Sequence, residues 1–254
     1  MKKYFKEFSL NQSFIRFSKL SFLAFFFLSS EQTAAQLSRI AIVNLVDSNL
    51  IYKHVGLSGF KDKADTFNCR FNCKEYLGKE LARILSSKYT VSFLSIPDKL
   101  LTPNGSIYNP TDIKKEVNSW VSGLKNKYDF VIFVEAGEQD DFMDPKKQKI
   151  KSSGLYSRGN PPDGWVAVYT TTRFSLIRTS NQENLDYDWA AMDYILPVKN
   201  YDFPREDVLI DPEMLTLIRK ELIKLFDYKL EYFMTNSFLI SGDDYEHLKV
   251  FKHE

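Results

Sequence analysis

Residues 39–46 read Arg-Ile-Ala-Ile-Val-Asn-Leu-Val, and residues 129–135 read Asp-Phe-Val-Ile-Phe-Val-Glu. Both are nearly continuous apolar runs rich in β-branched side chains, the pattern of a strand buried on both faces. Thr90–Ile96 has the same character and stops at Pro97, which has no amide proton to give a ladder. Helical periods separate these runs. Asn72 stands where it can cap a helix with Glu75 three residues on, and Leu77, Leu81, Ile84 and Leu85 make one apolar stripe. Asn109, Pro110 and Asp112 suit the opening of a second helix, in which Ile113, Val117, Trp120, Val121 and Leu124 share a face. Strand, helix, strand, helix, strand predicts an α/β fold: a three-layer Rossmann-like domain with a parallel core sheet.

Outward from that core, residues 50–55 predict a second, shorter strand after the turn Asp47-Ser48-Asn49. Trp165–Arg178 alternates, with Val166, Val168, Thr170, Thr172, Phe174 and Leu176 on one side, and Leu185–Trp189 can return antiparallel. That pair is read as a hairpin extending the core sheet. Asp211-Pro212-Glu213 opens a long closing helix with Leu215, Ile218, Leu222, Leu225 and Phe233 facing inward. Residues 136–164 hold many Gly, Pro, Asp and Lys residues without a period, so a long loop is expected there. The polar tail from Ser241 is expected at the surface.

The first 35 residues predict a destination. Lys2, Lys3, Lys6, Arg16 and Lys19 precede the apolar run Leu20–Leu28, and Thr33-Ala34-Ala35 follows. A basic leader, a short apolar stretch and an A-x-A-like end are the parts of a secretory signal peptide. The run is too short for a bilayer core, which takes about 20 apolar residues. Cleavage is expected after Ala35, leaving a single domain over residues 36–254. No cysteine lies near that point, so a lipid anchor is disfavoured and a periplasmic or secreted location is expected.

Residues 1–35 carry five basic and two acidic residues, so the 34 basic and 33 acidic residues of the chain become 29 and 31. The net charge moves from +1 to −2. Such balance supplies no reason to expect nucleic acid, which wants a clustered basic face. The nearest cluster, Lys146, Lys147, Lys149 and Lys151, reads as solvated surface. No other segment is apolar enough to span a membrane, and the partner expected is an envelope protein or a small ligand. No phosphate loop, dinucleotide turn or zinc-protease helix is present, so no cofactor is expected. Asp140, Asp141 and Asp144 do not have the spacing of a calcium loop, and no metal site is predicted.

Cys69 and Cys73 are the only cysteines. In an exported protein a disulfide is the leading reading, although the loop it would close is short. A zinc site would have to draw on His54, His247 and His253, and a redox role would use C-x-x-x-C where thiol oxidoreductases have C-x-x-C.

Three fragments suggest catalysis. Ser48 follows the first strand, Gln139 follows the strand at 129–135, and Asp244 and His247 stand near the end of the chain. Their order resembles the SGNH (GDSL-type) hydrolases, which would make Ser48 the nucleophile, Gln139 an oxyanion-hole amide, and Asp244 with His247 the base. Val46 stands where that pattern has glycine, and Gln139 where it has asparagine.

Ile40–Leu50 followed by Val55-Gly-Leu-Ser-Gly-Phe60, with Gly154-Leu-Tyr-Ser-Arg158 later, is similar to an uncharacterised family of exported bacterial proteins. Its pattern runs V-A-V-V-S-L-L-G-D-x-L, then V-G-x-T-x-F, then G-L-Y-x-R. The resemblance implies export and a Rossmann-like α/β domain, with no activity attached, and removes Ser48 from a nucleophile position. Gly154, Tyr156 and Arg158 are then the binding candidates: a glycine free to take positive φ, a ring that can stack, and a guanidinium that grips carboxylate or phosphate. A non-catalytic binding or assembly role is the expectation, an SGNH-like ester hydrolase the alternative.

Overall fold

The computed structural model describes residues 37–55, 63–67, 71–108, 112–140, 149–158, 165–187, 191–197 and 212–250. It is a mixed α/β protein in which parallel and antiparallel strand pairs coexist and a long helix lies near the C-terminus. In chain order the strands are β1 (Arg39–Asn44), β2 (Leu50–Val55), β3 (Lys63–Phe67), β4 (Thr90–Phe93), β5 (Phe130–Ala136) and β6 (Glu138–Asp140). They continue as β7 (Lys149–Lys151), β8 (Ser153–Arg158), β9 (Trp165–Thr170), β10 (Thr172–Arg178), β11 (Asn184–Tyr187) and β12 (Ala191–Pro197). The helices are α1 (Cys73–Leu85), α2 (Lys115–Ser122), α3 (Pro212–Asn236) and α4 (Gly242–Val250).

The three strands expected to pair in parallel do so. β1 pairs in parallel with β4 on one side and with β5 on the other, and β10 and β11 extend the sheet antiparallel, in the order β11-β10-β5-β1-β4. Alternate side chains of β1 enter different cores. Ile40 and Ile42 pack with Leu77 and Leu81 of α1 and with Phe226 and Phe233 of α3, whereas Ala41 and Val43 pack with Val117 and Val121 of α2.

Asn72 caps α1 as its spacing predicts, its Oδ1 accepting the Glu75 amide at 3.0 Å. α1 is tied to α3 where the Tyr76 hydroxyl donates to Asp227 Oδ1 at 2.5 Å. Burial first, and that carboxylate second, hold the Tyr76 phenol far above its ordinary range. The second helix is shorter than its period implied: Ile113 forms a bridge with Tyr108, and α2 begins only at Lys115. Asn109 and Pro110 lie outside the described residues.

The largest departure is a second sheet, ordered β12-β9-β8-β2-β3. β2 belongs to this sheet, pairing in parallel with β8 and antiparallel with β3. The region 136–164, expected as a loop, contains β6, β7 and the buried strand β8. The stretch 165–178 is two strands in different sheets, β9 and β10.

Thr171 joins those two strands. Its amide donates to Ser152 O and its carbonyl accepts from the Gly137 amide, each at 2.8 Å. Its hydroxyl reaches the carbonyls of Gly137 and Ser152, at 2.8 and 3.0 Å. The expected one-sided alternation survives the change of sheet, because Val166, Val168, Phe174 and Leu176 all enter the core that α3 fills. The chain from Ser241 lies largely at the surface, as expected, but as the helix α4, with Tyr245 buried.

Candidate functional site

β2 and β8 run in parallel and end together, with His54 opposite Ser157 and Val55 opposite Arg158. Ligands of α/β sheets gather at the carboxyl ends of such strands. Tyr52 and His54 are two residues apart on β2, so they share a face with the register partner Ser157. Ser157 Oγ lies 2.8 Å from His54 Nδ1 and 2.8 Å from the Tyr52 hydroxyl. The two rings are stacked, with centroids 6.5 Å apart and planes at 29°. Ser157 is buried, while Tyr52, His54 and Arg158 are half-buried.

The three groups share few protons. A serine hydroxyl donates once, and an imidazole Nδ1 donates or accepts according to tautomer. In one arrangement Tyr52 donates to Ser157 and Ser157 donates to Nδ1; in the other His54 donates to Ser157, which donates to the tyrosine oxygen. Either way Oγ is held by two partners, and one arrangement aims its proton at a base.

The binding candidates take different parts. Gly154 does not adopt a positive φ; among the described glycines Gly105 does. It is required by close approach: a Cβ there would sit 1.8 Å from the Ile51 carbonyl oxygen on β2. Tyr156 is wholly buried, stacked on Trp165 at 5.5 Å and packed with Val55, Ile150 and Tyr169. Its ring belongs to the core and is no platform for a ligand. Arg158 remains half-buried at the strand end. All three stand on β8 in the second sheet, and their spacing of two puts the side chains of Tyr156 and Arg158 on the face opposite Ser157.

The SGNH-like residues do not assemble. Ser48 is exposed just beyond the carboxyl end of β1, and Gln139 is half-buried in β6 opposite Ile150. Asp244 and His247 lie on α4, which is tied to the other edge of the sheet. Lys88, two residues before β4, bonds Asp244 at 2.5 Å, and the Tyr89 hydroxyl donates to Leu239 O at 3.0 Å. Hydrogen bonds from Lys88 and then Ser241 hold the Asp244 carboxyl below its usual range. β1 and β4 are parallel, so Ser48 and His247 are separated by the length of a strand, on the order of 15–20 Å.

Cys73 is buried at the first position of α1, and Cys69 lies outside the described residues. Asp140 pairs with Lys149 at 3.0 Å, while Asp141 and Asp144 are outside the described residues. Among the described residues no group of His, Cys, Asp and Glu could hold a metal ion, and no helix is long and apolar enough to cross a membrane.

A second polar group had no sequence signal except a glutamate closing an apolar run. Glu135, buried at the end of β5, accepts the Ile107 amide at 3.0 Å. Arg173, its register partner on β10, lies 3.4 Å over the Tyr108 ring, and the Tyr108 hydroxyl is 2.8 Å from Ser175 Oγ. These contacts clamp the segment 101–108 onto the sheet and read as architecture.

No family model matches the chain, and no curated protein matches it. Among solved structures, the hypothetical protein CT253 from Chlamydia trachomatis is similar over 76% of this chain and 98% of its own, at 11% identity and a TM-score of 0.31. An uncharacterized protein is similar over 78% and 94%, at 12% identity and a TM-score of 0.31. The lipoprotein GNA1162 from Neisseria meningitidis is similar over 74% and 96%, at 11% identity and a TM-score of 0.26. At such scores the likeness carries nothing about activity.

Proposed function

We propose that this chain is an exported protein of the bacterial envelope, made with a cleavable leader over residues 1–35. Its mature part, residues 36–254, is a single domain with a non-catalytic binding or assembly role toward an envelope partner or a small ligand. The core sheet is best read as a three-layer Rossmann-like unit, a reading supported by the separate cores that α1 with α3 and α2 form with alternate residues of β1. A disulfide between Cys69 and Cys73 is part of the proposal, since both would meet an oxidising compartment.

The observation that carries the binding role is the set of polar groups where β2 and β8 end: Tyr52, His54 and Ser157 bonded together on one face, and Arg158 half-buried at the end of β8 on the other. Half-buried polar groups at the ends of parallel strands suit a small ligand carrying a carboxylate or phosphate, which a guanidinium grips in two places. Thermal melts of the protein against a panel of small carboxylates and phosphates test it. At least one should raise the midpoint, and Arg158→Met should remove that rise while leaving the midpoint without ligand nearly unchanged. Equal stabilisation of both proteins, or of neither, sinks the site. Intact mass of the protein recovered from the cell envelope tests export separately, and Met1 still present there would refute it.

A further inference from the structure

We propose that Ser157 is a nucleophile and His54 its general base, an acyl-accepting pair that takes carboxylic esters. The proposal keeps the location of the binding role and replaces its non-catalytic part with chemistry. The separation of Oγ and Nδ1, 2.8 Å, is that of a nucleophile already bonded to its base. Two features distinguish this pair from an ordinary turn serine. Both residues stand one position before the ends of adjacent parallel strands. The serine is buried while the imidazole beside it is half-buried, so the oxygen is shielded from bulk water. The Tyr52 hydroxyl, 2.8 Å from Oγ, fixes the rotamer and supplies a donor beside the reacting centre.

The step closes without a further reactant. Oγ attacks the ester carbonyl carbon as its proton passes to Nδ1. The bond from that carbon to the alkoxy oxygen then breaks, and the leaving oxygen takes the proton from the imidazolium. The products are acyl-Ser157 and an alcohol. Water attacking by the same route would release the carboxylic acid and restore the serine. Ser48, Asp244 and His247 have no part in it.

The test is labelling of the purified full chain with an alkyl fluorophosphonate, which forms a phosphonyl ester on an activated serine and releases fluoride. One adduct is expected by intact mass, and peptide mapping should place it on Ser157. Ser157→Ala should abolish it, and His54→Gln should slow it by about 10²–10⁴-fold, the usual contribution of a positioned base. Ser48→Ala should label at the wild-type rate. Melting midpoints of each variant separate lost reactivity from lost folding, and the map of the unaltered protein decides the matter if a variant does not fold. No adduct, an adduct on another serine, or unchanged labelling of a folded His54→Gln protein would each overturn the proposal. A ligand that stabilises through Arg158 in a protein that never labels would keep the binding site and remove the nucleophile.

Discussion

Replacing Gly154 with alanine should destabilise the protein more than alanine at Gly78, Gly105, Gly123 or Gly242. The added Cβ would lie 1.8 Å from the Ile51 carbonyl oxygen and 2.7 Å from both the nitrogen and the carbonyl carbon of that residue. All three atoms are backbone, so no side chain can swing aside. Ordinary contact between carbon and oxygen needs roughly 3.3 Å, so β2 and β8 would have to part by about 1.5 Å at this pair, which takes hydrogen bonds of about 2.9 Å out of range. Opening the ladder on either side of Ile51 forfeits about two bonds. Each leaves buried backbone groups unsatisfied at about 1–3 kcal/mol, so the cost is at least about 3–4 kcal/mol. Against a domain stability of about 5–15 kcal/mol this is a large fraction. Urea unfolding followed by circular dichroism measures it, with Gly242→Ala as a control, because a Cβ at Gly242 meets nothing within 4 Å. If Gly154→Ala unfolds within about 1 kcal/mol of the parent, the pairing of Gly154 with Ile51 is wrong, and the contact between His54 and Ser157 falls with it.

Other changes test other parts of the fold. Gly78 is buried within α1, and a Cβ there would meet Phe93 and Asn44 at ordinary distances of 3.5 and 3.6 Å; Gly78→Ala should therefore raise stability by about 0.5–1 kcal/mol in urea. Phe238 holds a φ of 57° and is 89% exposed. Phe238→Gly should remove that strain, offset in part by the greater freedom of the unfolded glycine, for a net gain of up to about 1 kcal/mol by thermal melting. Asp244 has its pKa lowered by its partners Lys88 and Ser241, so the stability it adds is fully present above the unfolded carboxyl pKa and is lost as the pH falls through its folded value. Amide exchange in α4 should accelerate in that acid range in the parent, and Asp244→Asn should flatten the dependence.

The elements that local chemistry specifies were legible in the sequence. β1 and β5 are apolar on both faces because both faces are covered, Asn72 caps α1 through an oxygen three residues from its target, and α3 carries its own stripe. Each of these signals lies within a few turns of chain. β8 had no such signal: Ser153-Gly-Leu-Tyr-Ser-Arg158 has no apolar alternation, and it is a strand because β2 and β9 pair with it on either side. Which sheet β2, β9 and β10 enter was likewise decided by tertiary pairing, since one residue, Thr171, separates two strands that belong to different sheets. The site followed the same rule. The sequence marked Gly154, Tyr156 and Arg158, and their neighbour Ser157 became the centre only because parallel pairing carries it to His54, 103 residues away. Side-chain period is a property of neighbours along the chain, whereas a hydrogen bond across that separation exists only once β2 and β8 have paired in the second sheet.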